Sequence, residues 1–122
     1  RFITIPVGNS GHFVADGFIN GRSVKFMVDT GASFVVIGRA EADRLGLNYK
    51  NSSEAPIQIR TANGVAKAYP IRLQRLRIGE VELQQVEAIV GPDIPYILLG
   101  NTFLSSFRME RSNDIMRLER TR

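Results

Sequence analysis

A carboxylate, a hydroxyl and a glycine stand in a row at Asp29-Thr30-Gly31, preceded by the apolar run Phe26-Met27-Val28 and followed by Ala32-Ser33. A carboxylate at the end of an apolar strand has a buried base, and such a group can exchange protons with water or with a carbonyl-containing substrate. Gly31 lets the backbone turn closely and offer an N–H to the carboxylate, while the Thr30 hydroxyl is suited to anchoring the loop by hydrogen bonding. Asp and Gly are also common turn formers, so the tripeptide alone reads equally well as a turn at a strand end. The apolar strand before it and the elements after it favour the chemical reading.

The elements that must position these residues are mostly short strands. Residues 2–7 read as a strand, and Gly8-Asn9-Ser10-Gly11 breaks it. Residues 12–19 and 24–28 flank Asn20-Gly21, a tight hairpin signal because both residues tolerate positive φ, and this hairpin leads straight into Asp29. Residues 38–47 carry Ala40, Ala42, Leu45 and Leu47 as a weak helical stripe that Gly46 ends. Residues 57–61 and 65–73 surround Ala62-Asn63-Gly64, a second Asn-Gly turn that makes a projecting hairpin.

Further on, residues 76–78 and 81–90 meet at Gly79-Glu80, and residues 91–95 form a stiff loop with Pro92 and Pro95. An apolar strand, residues 96–99, then runs into Gly100 and a short helix that Asn101 or Thr102 is placed to cap. Residues 108–110 and 115–118 close the chain as a last hairpin around Ser112-Asn113-Asp114. Short strands with glycine-containing turns predict an all-β barrel or sandwich with two short helices.

At 122 residues the chain fits one compact domain spanning residues 1–122, and 43% hydrophobic with 23% charged residues is the balance of a soluble globular protein. The net charge is +4, with a modest basic cluster over residues 108–122. No aromatic-rich RNA-binding strand or recognition-helix pattern accompanies that cluster, so a solvated face is expected rather than nucleic acid as a partner. The absence of cysteine excludes disulfides, thiol nucleophiles and thiolate metal sites. His12 stands alone without an H-E-x-x-H pattern, so no metal or other cofactor is expected. No apolar run approaches the roughly 18 to 20 residues that span a bilayer. The chain opens on Arg1 rather than Met, which leaves room for an anchor or signal upstream.

Taken together, Val28-Asp29-Thr30-Gly31-Ala32-Ser33, the hairpin tip Thr61-Ala62-Asn63-Gly64, and the stretch from Ile97-Leu98-Leu99-Gly100 through Asn101-Thr102-Phe103-Leu104 resemble the retropepsin-like aspartic peptidases. The motifs come in family order and the resemblance extends over nearly the whole chain. It is nearest to the single-domain bacterial branch, often tethered by an upstream membrane segment and facing the periplasm. The resemblance implies an all-β acid-protease barrel with one or two short helices and Asp29 as the catalytic carboxylate. Thr30, Gly31 and Ala32 would be its supporting loop, and Thr61, Ala62, Asn63 and Gly64 the tip of a flap over substrate. Ile94 would be a pocket wall, and Leu98, Leu99 and Gly100 the layer behind the site. This chain departs from retroviral members in having Ser33-Phe34 where they carry acidic residues, and Asn101 where many carry Arg. Those departures bear on how the substrate backbone is held and on how a dimer is stabilised.

Peptide hydrolysis by this route needs one ionised carboxylate to activate water and one protonated carboxyl to polarise the scissile carbonyl. No second Asp-Thr-Gly or Asp-Ser-Gly follows, because Asp16, Asp43, Asp93 and Asp114 precede Gly17, Arg44, Ile94 and Ile115. The second carboxylate therefore comes from another chain, and a two-fold homodimer sets Asp29 against Asp29. Two carboxyls about 3 Å apart share one proton and titrate as a unit. The substrate is expected to be an extended polypeptide held as an added strand, with a modest, mainly apolar preference. Residues 2–5 and 115–118 either close their own sheet or pair across the dimer. Two other readings compete: a catalytically silent dimerisation or peptide-binding module on the same fold, and a basic β-barrel that binds nucleic acid or a membrane surface.

Overall fold

In the computed structural model, which describes residues 1–8 and 11–121, Asn20 and Gly21 reverse the chain with φ of +51° and +84°. Both angles are positive, as the tightest hairpin turn requires, and the turn sets Ile19 opposite Arg22. Strands β2 (Val14–Ile19) and β3 (Arg22–Val28) then run antiparallel, and β3 delivers the chain to Asp29. A strand β1 (Phe2–Pro6) precedes them; of the break expected after it, Asn9 and Ser10 lie outside the described residues.

After β4 (Val35–Gly38) comes α1 (Arg39–Arg44), shorter than the residues 38–47 expected. Gly46, at φ +70°, donates its N–H to the Asp43 carbonyl, and Leu47 donates to the Ala42 carbonyl. These two bonds satisfy carbonyls at the helix end and stop it there.

The second hairpin joins β5 (Ile57–Thr61) to β6 (Gly64–Ile78), but its turn is displaced by one residue from the Asn-Gly reading. Thr61 pairs with Gly64, so Ala62 and Asn63 are the central residues, and only Gly64 takes a positive φ, +109°. The Thr61 hydroxyl is the cause: its Oγ1 accepts the Asn63 N–H at 3.2 Å and donates to the Gly64 carbonyl at 2.8 Å. β6 is also longer than expected, continuing through Gln74 to Ile78 against β7 (Val81–Gly91). Its ladder is interrupted only where Gln85 takes φ +54°, and it resumes in the same register.

β8 (Ile97–Leu99) lies between β3, which it pairs in parallel, and β4, which it pairs antiparallel. β4 pairs β7 in parallel, β7 pairs β6, and β6 returns to β2 through Phe18 opposite Arg77 and Ile19 opposite Leu76. The ring β2-β3-β8-β4-β7-β6 is thereby a closed six-stranded barrel, with β5 projecting beyond it on β6. This is an all-β barrel with two short helices, as the resemblance implied. After α2 (Asn101–Leu104), the chain ends in β9 (Phe107–Arg111) and β10 (Ile115–Arg120).

β1, β10 and β9 form a separate sheet in which β1 pairs β10 of the same chain, Ile3 opposite Leu118 and Ile5 opposite Met116. Along β1 and β10, buried and exposed residues alternate, so Ile3, Ile5, Met116 and Leu118 point inward. They join Phe26, Ile37, Leu73, Leu99 and Phe103 in one hydrophobic cluster shared by barrel and terminal sheet. Among the described residues no helix is long and apolar enough to cross a membrane.

Candidate active site

Asp29 follows β3 directly and is tied at both ends. Its N–H donates to the Leu99 carbonyl at 3.2 Å, and its own carbonyl accepts the Ala32 N–H at 3.1 Å. Its Oδ1 accepts the Gly31 N–H at 2.9 Å, so the glycine does what the sequence assigned to it. Asp29 is half-buried, and among the described residues it has no salt-bridge partner and no hydrogen bond to Oδ2. A carboxylate with one oxygen fixed and the other free can exchange a proton with water or with a second carboxyl.

The loop is braced from behind by the first turn of α2. Asn101 donates its backbone N–H to the Ala32 carbonyl at 2.9 Å and its side-chain Nδ2 to the Thr30 carbonyl at 3.2 Å. Thr102 donates its N–H to the Ser33 carbonyl at 3.1 Å. Its hydroxyl accepts the Val35 N–H at 3.1 Å and donates to the Glu87 carbonyl at 2.6 Å, joining the loop, the helix and β7. Neither side chain caps α2, contrary to expectation: the N-cap is Gly100, with no side-chain hydrogen bond. Asn101 and Thr102 are the first two residues of the helix, with the Asn101 amide turned to the Asp29 loop and the Thr102 hydroxyl to β4 and β7. Within one chain the Thr30 hydroxyl makes no hydrogen bond among the described residues; the loop is held through the Thr30 carbonyl instead.

Gly100 explains why the helix sits so close. A Cβ there would overlap the Phe34 carbonyl oxygen and lie 2.7 Å from the Ala32 carbonyl oxygen. Leu99 is fully buried beside it, and Leu98 pairs with Met27 on one side and Val36 on the other. Asp29, Thr30, Gly31, Ala32, Leu98, Leu99 and Gly100 therefore form one hydrogen-bonded and packed unit. Thr61, Ala62, Asn63 and Gly64 stand apart at the tip of the projecting hairpin, where Ala62, Asn63 and Gly64 are exposed. Ile94 is half-buried and lines a groove of about 690 Å³ with Val24, Lys25, Glu41 and Tyr96; Asp29 is not among its walls.

Sequence reading missed Thr102 as a brace because a threonine before an apolar run looks like a helix cap. Replacing it by valine keeps the shape but strips the Val35 N–H and the Glu87 carbonyl of a partner. Since Val35 is fully buried, Thr102→Val is expected to cost about 2 kcal/mol. Urea-unfolding midpoints of the two proteins check this.

Three comparisons bear on this geometry. Residues 15–106 match the family model described as "gag-polyprotein putative aspartyl protease". Among curated relatives, an uncharacterized protein from the cobV 5′ region of a Sinorhizobium species is 33% identical over 112 residues, covering 89% of this chain and 48% of that protein. An uncharacterized protein of Rickettsia prowazekii (strain Madrid E) is 36% identical over 107 residues, covering 87% of this chain and 46% of that protein. The chain thus spans about half the length of these two relatives. The crystal structure of a retropepsin-like aspartic protease from Rickettsia conorii superposes with a TM-score of 0.85 at 34% identity, covering 97% of this chain and 98% of that one. With the family model running from before β3 to beyond α2 and a solved relative following the same path almost from end to end, this chain belongs to the retropepsin-like aspartic peptidases.

Proposed function

We propose that the protein is an aspartic endopeptidase that works as a homodimer, with Asp29 of each copy supplying half of a shared-proton dyad. The observation that carries this reading is the Asp29 carboxylate itself: half-buried, fixed through Oδ1 by Gly31, and free at Oδ2. One such group in one chain cannot both take and give a proton in the same step. In a two-fold dimer the second Asp29 lies opposite the first, and the close pair retains one proton.

The ionised member takes a proton from water, whose oxygen attacks the scissile carbonyl carbon. The protonated member gives its proton to the carbonyl oxygen, so the tetrahedral intermediate forms without net charge build-up. Collapse returns a proton to the dyad from the intermediate's hydroxyl, while the leaving amine takes one, and the C–N bond breaks. Thr30, Gly31 and Ala32 hold the geometry, and the exposed hairpin tip at Thr61, Ala62, Asn63 and Gly64 closes over an extended polypeptide. The shared hydrophobic core supports reading residues 1–122 as one peptidase domain. The family likeness favours a periplasmic setting with an upstream membrane anchor.

If the dimer is the active species, specific activity falls as the protein is diluted through its dimer dissociation constant, and a statine-type inhibitor stops the cleavage. Peptidase assays on an unfolded substrate across a dilution series test both. Absence of inhibitor-sensitive cleavage would leave a silent module on the same fold, and activity strictly proportional to concentration down to the lowest measurable level would remove the dimer from the mechanism.

A further inference from the structure

The projecting hairpin has two unlike faces. Arg60 stands opposite Val65 and Gln58 opposite Lys67, so these four side chains share one face, while Ile57, Ile59, Ala66 and Ala68 share the other. The second face is turned to the barrel: Ala68 is fully buried, and the Ile59 Cδ1 lies 3.4 Å from where a Gly91 Cβ would be in β7. On the first face Gln58, Arg60, Val65 and Lys67 are all exposed. Arg39, at the start of α1, brings a third cation to it, its Nη2 donating to the Lys67 carbonyl at 3.5 Å.

Among the described residues none of Arg39, Arg60 and Lys67 has an acidic partner. The basic cluster over residues 108–122 differs in this respect. There Arg108 pairs with Glu119, and Arg111 and Arg117 lie over the Phe13 and Phe2 rings, at 4.9 and 3.7 Å from the ring centroids. Much of the charge that stands out in the sequence is therefore already engaged, whereas the hairpin gathers positive charge that the described residues leave unneutralised. Between its cations sits Val65, 62% exposed and the most exposed of the large hydrophobic side chains described.

Cations gain by lying against an anionic layer, and an apolar side chain gains by leaving water. An acidic polypeptide would satisfy the first requirement but offers Val65 no apolar bed. Anionic headgroups over acyl chains satisfy both. We propose that the outer face of the hairpin is a docking surface for an anionic lipid membrane, with Arg39, Arg60 and Lys67 against the headgroups and Val65 at the acyl boundary. Docking in this way leaves the barrel-facing side of the hairpin free. The proposal goes beyond the peptidase reading and does not rest on it.

The chain contains no tryptophan, so Val65→Trp places a single fluorescent reporter on this face. Vesicles of equal parts phosphatidylcholine and phosphatidylserine are compared with vesicles of phosphatidylcholine alone, the whole chain being used throughout. Emission of Val65→Trp is expected to shift to the blue with the anionic vesicles and to stay unchanged with the neutral ones. Phe2→Trp, on the terminal sheet, is the control and should not shift. In co-sedimentation with the native Val65 in place, Arg39→Gln, Arg60→Gln and Lys67→Gln should each weaken binding to the anionic vesicles about fivefold, and added salt should weaken it further. All three side chains are exposed, so the variants should fold as wild type does. Arg108→Gln should leave binding within about twofold of wild type, its charge being engaged by Glu119.

Four results would each overturn the proposal: no binding of wild type to anionic vesicles, equal binding to neutral ones, a blue shift in Phe2→Trp as large as that in Val65→Trp, or a loss in Arg108→Gln as large as that in Arg60→Gln. Binding of polyglutamate without binding of vesicles would make the face a site for acidic polypeptide, which overturns it as well. No readout here is cleavage, so the peptidase reading stands or falls separately.

Discussion

Asp29→Asn is expected to lower cleavage by at least about a thousandfold while moving the unfolding midpoint little. Asn has nearly the same shape, and its Oδ1 can still accept the Gly31 N–H that holds the aspartate at 2.9 Å. What it loses is the ability to exist as a carboxylate and to pass a proton, which is the whole of the proposed chemistry. The same variant reports on assembly. Added in excess to wild type, it should form mixed dimers with one ionisable group each, so that activity falls as wild-type chains are captured. Peptide turnover and the two unfolding curves, measured on the same preparations, separate the chemical loss from a folding defect. Wild-type turnover in a folded Asp29→Asn protein would refute the role given to this residue, and undiminished activity in the mixture would refute the shared site.

What could be read from the residues alone was chiefly local. Asn20-Gly21 specifies a hairpin because two adjacent residues tolerate positive φ, and Gly46 stops α1 because the chain there must turn left-handed. Asp29-Thr30-Gly31 was readable for the same reason, since the Gly31 N–H reaches a carboxylate only two residues away. The barrel's closure was not readable in this way. It depends on β3 with β8 and β4 with β7 in parallel, and on β6 returning to β2, pairings between segments far apart in sequence whose periodicity does not name a partner. Family resemblance supplied the architecture that alternation could not. Two of the departures, at the second turn and at the start of α2, come from side-chain hydrogen bonds that compete with backbone patterns. Thr61 shifts the second Asn-Gly turn by one residue, and the side chains of Asn101 and Thr102 bond the Asp29 loop and the strands β4 and β7 rather than the end of α2.

Gly100→Ala is expected to be as damaging as any substitution outside Asp29, and for a purely steric reason. Gly100 has φ −95°, which alanine adopts without strain, so a conformational penalty is not involved. The added methyl would instead overlap the Phe34 carbonyl and crowd that of Ala32. Both are backbone atoms, and they cannot swing aside as the end of a flexible side chain can. Relief requires the Asp29 loop and α2 to move apart, stretching the Asn101 N–H to Ala32 and Asn101 Nδ2 to Thr30 bonds together. The expected cost is about 3 kcal/mol or more, the upper end for overpacking a tight site. Gly46→Ala is the informative contrast, because nothing lies within 4 Å of a Cβ there and only its φ of +70° opposes the change, at about 1 kcal/mol. Urea midpoints of the two variants should therefore differ clearly. Activity should separate them further, since Gly46 bonds only within the end of α1 whereas any retreat of α2 from Ala32 shifts the Asp29 carboxylate from the position that the proposed dyad requires. A Gly100→Ala protein with wild-type stability and turnover would mean that the bracing of the loop by α2 has no part in placing the carboxylate.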